Sequence, residues 1–111
     1  MIIYEVPDDH SFMKMEVADA LKTVIDPELQ INIVDMGLVY AIEMSDDETN
    51  ITVEMTLSSK FCPMGESIMS AVKNCILRFF PGFGLNVKLV WSPVWNHDFI
   101  SDDGKRRLGT Q

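Results

Sequence analysis

The chain has 111 residues, enough for one domain and too few for a second core. Apolar residues make up 47% and charged residues 23%, a balance that excludes a disordered chain, and no apolar run approaches the ~20 residues that span a bilayer. A net charge of −8 argues against nucleic acid or an anionic membrane as partner, since both need clustered Lys and Arg.

The charge is unevenly placed, with thirteen acids and two bases in residues 1–54 against four acids and seven bases in 55–111. A solvated acidic face explains this, and so does a docking surface for a basic partner. Residues 1–111 read as a single domain whose first ten residues are an extended N-terminal segment. Those ten lack the basic start and apolar core of a signal peptide, so the cytoplasm is the expected compartment. Two cysteines, Cys62 and Cys75, are too few for a disulfide framework and too far apart for a CxxC pair.

From Ser11, the residues Met13, Val17, Ala20, Leu21 and Val24 recur at helical spacing, and Ser11 suits an N-cap. Pro27 should end this helix near Ile25. Residues 38–44 are rich in strand formers. In residues 51–57, Ile51, Val53, Met55 and Leu57 alternate with Thr52, Glu54 and Thr56, and the polar stretch 45–50 joins the two runs as a hairpin. After Pro63 a second long helix carries a stripe of Met64, Ile68, Val72, Cys75, Ile76 and Phe79, and Pro81 and Gly82 stop it. Residues 85–91 alternate again. The strand–helix–strand unit should close as a right-handed crossover with its two strands parallel. The expected fold is α+β in the order α-β-β-α-β: a small mixed three-stranded sheet with helices on one face and a short helix near 101–108. The sheet face bearing Thr52, Glu54 and Lys88 should be the less covered one.

Cys62 directly precedes Pro63, a residue favoured at the first helical position, so the thiol should sit at a helix N-terminus and at the carboxyl end of a strand. Unpaired amides and the helix dipole stabilise a thiolate there, the form that binds metal or attacks an electrophile. A small buried apolar residue is the competing reading. Cys75 falls mid-helix on the apolar stripe and reads as core. Asp26 and Glu28 flank Pro27. They suit a hard cation, or acid and base work near Cys62, and Asp26-Pro27 is equally a good turn. Thr56 and Ser58 lie off the apolar face, where their hydroxyls can serve a thiolate or sulfide, or satisfy loop backbone groups. His10 and His97 show no ligand spacing with Cys62.

Three stretches, residues 26–40 (DPELQINIVDMGLVY), 55–65 (MTLSSKFCPMG) and 89–109 (LVWSPVWNHDFISDDGKRRLG), resemble the metal–sulfur-cluster biosynthetic domain family. That family includes SufT-like and PaaD-like proteins and the cytosolic iron–sulfur targeting factor. The chain ends without the C-terminal cysteine cluster typical of PaaD-like members, so it is nearer the SufT-like branch. The family's clustered site falls on Asp26, Glu28, Thr56 and Cys62. The resemblance implies a non-enzymatic accessory factor that assembles or delivers iron–sulfur clusters. Cys62 would be the transient ligand of iron or a cluster, assisted by Asp26 and Glu28, with Thr56 and Ser58 bonding the sulfur. Scaffold, carrier or client proteins are the implied partners. One cysteine cannot fill a four-thiolate shell, so a homodimer or a partner would supply further ligands. In the usual family pattern Pro and Gly stand where this chain has Lys60 and Phe61, and Gly104 interrupts a better helix former, so the last helix should be weak. Rival readings are a thiol enzyme with Cys62 as nucleophile and a non-catalytic adaptor.

Overall fold

The computed structural model describes residues 11–47, 49–58 and 65–109. The expectations for residues 1–10, Cys62, Pro63 and Met64 lie outside the described residues. The elements run α1 (Ser11–Leu21), β1 (Ile25–Asp26), β2 (Ile31–Asn32), α2 (Ile33–Met36), β3 (Val39–Met44), β4 (Asn50–Met55), α3 (Gly65–Phe79), β5 (Gly84–Leu89), a 3-10 turn (His97–Phe99) and α4 (Asp102–Arg107). The α-β-β-α-β order is therefore present, with a two-stranded ribbon and a one-turn helix inserted after α1.

α1 stops at Leu21 rather than near Ile25. The β-branched run Thr23, Val24 and Ile25 fits a helix poorly, and the Thr23 hydroxyl donates to the Ala20 carbonyl at 2.8 Å. Val24 nevertheless reaches the core, as its place in the apolar pattern requires.

β3 and β4 pair antiparallel, with a bulge between Val39 and Ala41, and β4 and β5 pair parallel with Val53 opposite Val87. Parallel neighbours need a crossover connection, which α3 provides. α1 packs on β3 and α3 on β5, with the two helices against each other. Between them and the sheet lie Val17, Leu21, Ile51, Val53, Met55, Val72 and Ile76, all essentially buried. Each such side chain contributes roughly 1.5–3 kcal/mol of burial free energy. Cys75 is part of this core. Phe79 departs from the expected stripe: at the last position of α3 it is 51% exposed. On the other sheet face Thr52 and Glu54 are half-buried and Lys88 is exposed, as the alternation predicts.

Residues 92–109 form a strap folded back over α2 and β3. Trp95 Nε1 donates to the Met36 carbonyl at 2.7 Å, and the Tyr40 hydroxyl donates to the Pro93 carbonyl at 2.7 Å. Ser101 donates through its backbone to the Asp35 carbonyl at 2.7 Å and through its hydroxyl to Asp35 Oδ1 at 3.0 Å. Asp35 is itself fixed by Asn32, the N-cap of α2, whose amide donates to Asp35 Oδ2 at 2.8 Å. α4 is short, as expected, but Gly104 has a packing reason. A Cβ there would lie 2.7 Å from Ile100 Cγ2 and 3.3 Å from the Asp35 carbonyl, so a side chain would crowd Ile100 and press α4 against α2.

Gly37 ends α2 with a left-handed φ of 82°, and a Cβ there would lie 2.7 Å from that of Phe99 in the strap. Gly82 has a similar φ of 93° with nothing within 4 Å. Gly82→Ala should therefore cost about 1 kcal/mol, the left-handed backbone penalty alone. Gly37→Ala should cost about 3 kcal/mol, because the methyl also displaces the strap. Urea unfolding of the two variants checks this; equal losses would show that the strap does not press on Gly37.

Candidate functional site

Asp26 and Glu28 share the turn between β1 and β2 and behave differently. Asp26 is 1% exposed, and its Oδ1 accepts the backbone N–H of Glu28 at 2.7 Å and of Leu29 at 3.2 Å. Its own carbonyl accepts the N–H of Gln30 at 2.8 Å, and Gln30 closes the turn with a left-handed φ of 62°. The Gln30 side chain adds a bond to the Pro27 carbonyl. The Asp-Pro turn is thus real, and the Asp26 carboxylate organises it. Glu28 is exposed at the tip.

Thr56 and Ser58 lie where β4 leaves the sheet. The Thr56 N–H bonds the Leu38 carbonyl at 2.8 Å, extending the hairpin one step beyond β4. Its side chain is fully buried, and the hydroxyl faces the Leu57 carbonyl at 3.5 Å. Tyr40 is its other neighbour. Burial pushes the Tyr40 phenol above its usual value of 10.0, while a hydrogen bond with the Thr56 hydroxyl pulls the other way. The Tyr40 ring meets Phe99 edge-on, with centroids 6.0 Å apart. Ser58 is half-buried at the last described position before the interval that holds Cys62.

The two ends of that interval touch. Gly65, the first residue of α3, is buried, and a Cβ on it would lie 2.7 Å from Leu57 Cδ1. Sequence puts Cys62 three residues before Gly65. Cys75 lies elsewhere, on the α1 side of α3: its Sγ donates to the Ala20 carbonyl at 3.2 Å and lies 3.6 Å from Thr23 Oγ1. Among the described residues no hydrogen bond links the Asp26 turn to Thr56. Nor do three His, Cys, Asp or Glu side chains converge there as metal ligands. The described residues also hold no helix long and apolar enough to cross a membrane.

Tyr40 and the strap that anchors it carry no signal in the local sequence. Tyr40 sits at the bulge of β3, and nothing in a local pattern announces a bond 53 residues away.

A family model described as iron-sulfur cluster assembly protein matches residues 14–88. The chain belongs to that family. The match runs from α1 to β5 and so includes the Asp26 turn, Thr56 and the interval with Cys62, and ends before the strap. Among curated relatives, the Fe-S protein maturation auxiliary factor SufT of Staphylococcus aureus is 46% identical over 86 residues, 78% of this chain and 97% of that protein. The Fe-S protein maturation auxiliary factor YitW of Bacillus subtilis is 39% identical over 100 residues, 89% of this chain and 96% of that protein. Among solved structures, a DUF59 domain from Bacillus anthracis superposes with a TM-score of 0.84 at 34% identity, covering 90% of this chain and 94% of that one.

The raised Tyr40 pKa has a definite sign. The neutral phenol stabilises the fold below the unfolded value of 10.0, and that contribution is lost as pH rises through the folded value. Tyr40→Phe should cost about 1 kcal/mol at neutral pH, through the lost bond to Pro93. The variant should also lose stability less steeply than the parent above pH 10.0. Denaturant unfolding across that range checks this; identical alkaline profiles would mean Tyr40 ionises unhindered.

Proposed function

We propose that this chain is an accessory factor in iron–sulfur protein maturation, with iron or an iron–sulfur cluster as cargo rather than as resident cofactor. The observation that carries the proposal is the family match, which spans every described element that borders the candidate site. The names of the bacterial relatives point the same way.

In this reading Cys62 is the transient ligand. The β4 exit and the α3 start, pinned together at Leu57 and Gly65, hold the interval it belongs to. A thiol at a helix start is favoured as thiolate by the amides and dipole there. Ser58 supplies a hydroxyl toward the sulfur. Thr56, fully buried beside Tyr40, would reach a sulfur only by giving up its present contacts, so it acts first by fixing the strand exit. Glu28 offers an exposed carboxylate on a turn that Asp26 stiffens, and the negative charge of Asp26 assists ligation. One thiolate leaves most of a cluster's coordination open, and a scaffold, carrier or client protein supplies the remainder during transfer. The working compartment is the cytoplasm.

Anaerobic loading with iron and sulfide tests the reading. Cys62→Ser should lose nearly all bound iron and sulfide while melting with the parent. Asp26→Asn keeps the Oδ1 acceptor that organises the turn and removes only the charge. It should fold normally and bind iron about tenfold more weakly. Full loading of Cys62→Ser would remove the ligand role, and unchanged loading of Asp26→Asn would reduce Asp26 to a turn former.

A further inference from the structure

β5 is an edge strand, and one side of it is unpaired among the described residues. Gly84 N–H bonds the Thr49 carbonyl at 2.7 Å and Val90 N–H bonds the Met55 carbonyl at 2.8 Å, both on the β4 side. Successive residues of a strand turn their N–H and C=O groups to opposite sides, so Asn86 and Lys88 also face β4. Leu85, Val87 and Leu89 then direct three N–H and three C=O groups at the open edge. Such a row is a template for an added strand.

A cleft runs beside this edge at the start of α3. Its lining includes Leu57, Glu66, Met69, Lys73, Leu89 and Trp91. Leu89 is 39% exposed, although its register with Met55 turns it toward the helix layer. α3 therefore leaves apolar surface uncovered where β5 ends. On the opposite face of the sheet Lys88 is exposed, in register with Glu54 of β4.

We propose that the β5 edge receives an extended segment of a partner protein as a fourth strand. Its apolar residues, at alternate positions, enter the cleft between Met69 and Trp91. Its intervening residues are acidic and continue the Glu54–Lys88 ladder across the sheet, a cross-strand charge pairing. The backbone groups left unmet among the described residues dictate an extended chain, and the α3 wall gives the groove the helix-and-strand form used in strand-addition recognition. A second copy of this chain fits poorly. It would bring its own α3, packed on its own β5. Two helices about 10 Å wide would then have to stand over strands about 4.8 Å apart. The inference rests on the maturation reading only for which proteins supply the strand, and it is tested without iron, so either can fail alone.

The probe is an acetylated nonapeptide alternating valine and glutamate, added to the full chain and followed by NMR. Amide exchange of Leu85, Val87 and Leu89 should slow at least about tenfold at saturation, while Asn86 and Lys88, already bonded to β4, stay as they were. Val87→Pro removes an N–H that points away from β4, a position where an edge strand tolerates proline, and should abolish binding in a folded protein. Because that variant also trims the core, Lys88→Glu gives a second reading on an exposed side chain. It should weaken the glutamate peptide and strengthen one alternating valine and lysine. Four results would overturn the proposal: no edge protection with peptide, edge amides already slow without it, protection that rises with protein concentration alone, or indifference to Lys88→Glu.

Discussion

The parallel pairing of β4 with β5 is the constraint on which the candidate site depends. Parallel strands cannot be joined by a turn, so the chain must cross the sheet, and α3 is that crossing. The crossover joins the carboxyl end of β4 to the amino end of α3. At one corner of the molecule it gathers Leu57 and Ser58, Gly65, and the outgoing end of β5 at Leu89 with Trp91. Helix starts and strand carboxyl ends are where α/β units place ligands, because free amide hydrogens collect there. Cys62 belongs by sequence to the interval between Ser58 and Gly65.

A second layer of constraint comes from polar groups in the strap. Asp35 is bonded by Asn32 on one side and Ser101 on the other, so one carboxylate ties the cap of α2 to the cap of α4. Trp95 and Tyr40 reach carbonyls across the same seam. Each such bond contributes only about 1 kcal/mol net, yet leaving any buried partner unmatched costs more, so the set holds together as a unit. Glycines at 37 and 104 make room for it, one beneath Phe99 and one beside Ile100. The strap thereby meets Tyr40, and through Tyr40 it touches the end of the strand that bears Thr56.

The parts of this fold that were legible in the sequence are those with a period. Alternation from Ile51 to Leu57 and the three-and-four spacing from Ile68 to Ile76 express burial on one face, and both faces are where the pattern puts them. β1, β2 and α2, at two, two and four residues, are too short to show any period. α1 ends earlier than the apolar pattern predicts, because Val24 fits that pattern while the β-branched run around it favours a strand. Phe79 fits the stripe of α3 and still projects into solvent at the last position of the helix. At the site, the turn at Asp26 was readable locally, whereas Thr56, placed off the apolar face by alternation, is fully buried beside Tyr40. The contacts of Tyr40 with Pro93 and Phe99 join residues more than fifty positions apart and leave no local trace.

Iron K-edge X-ray absorption of the anaerobically loaded protein addresses the central claim most directly. The account predicts sulfur among the first neighbours of iron in the parent and their loss in a Cys62→Ala variant. A shell of oxygen and nitrogen alone, unchanged by that substitution, would contradict it.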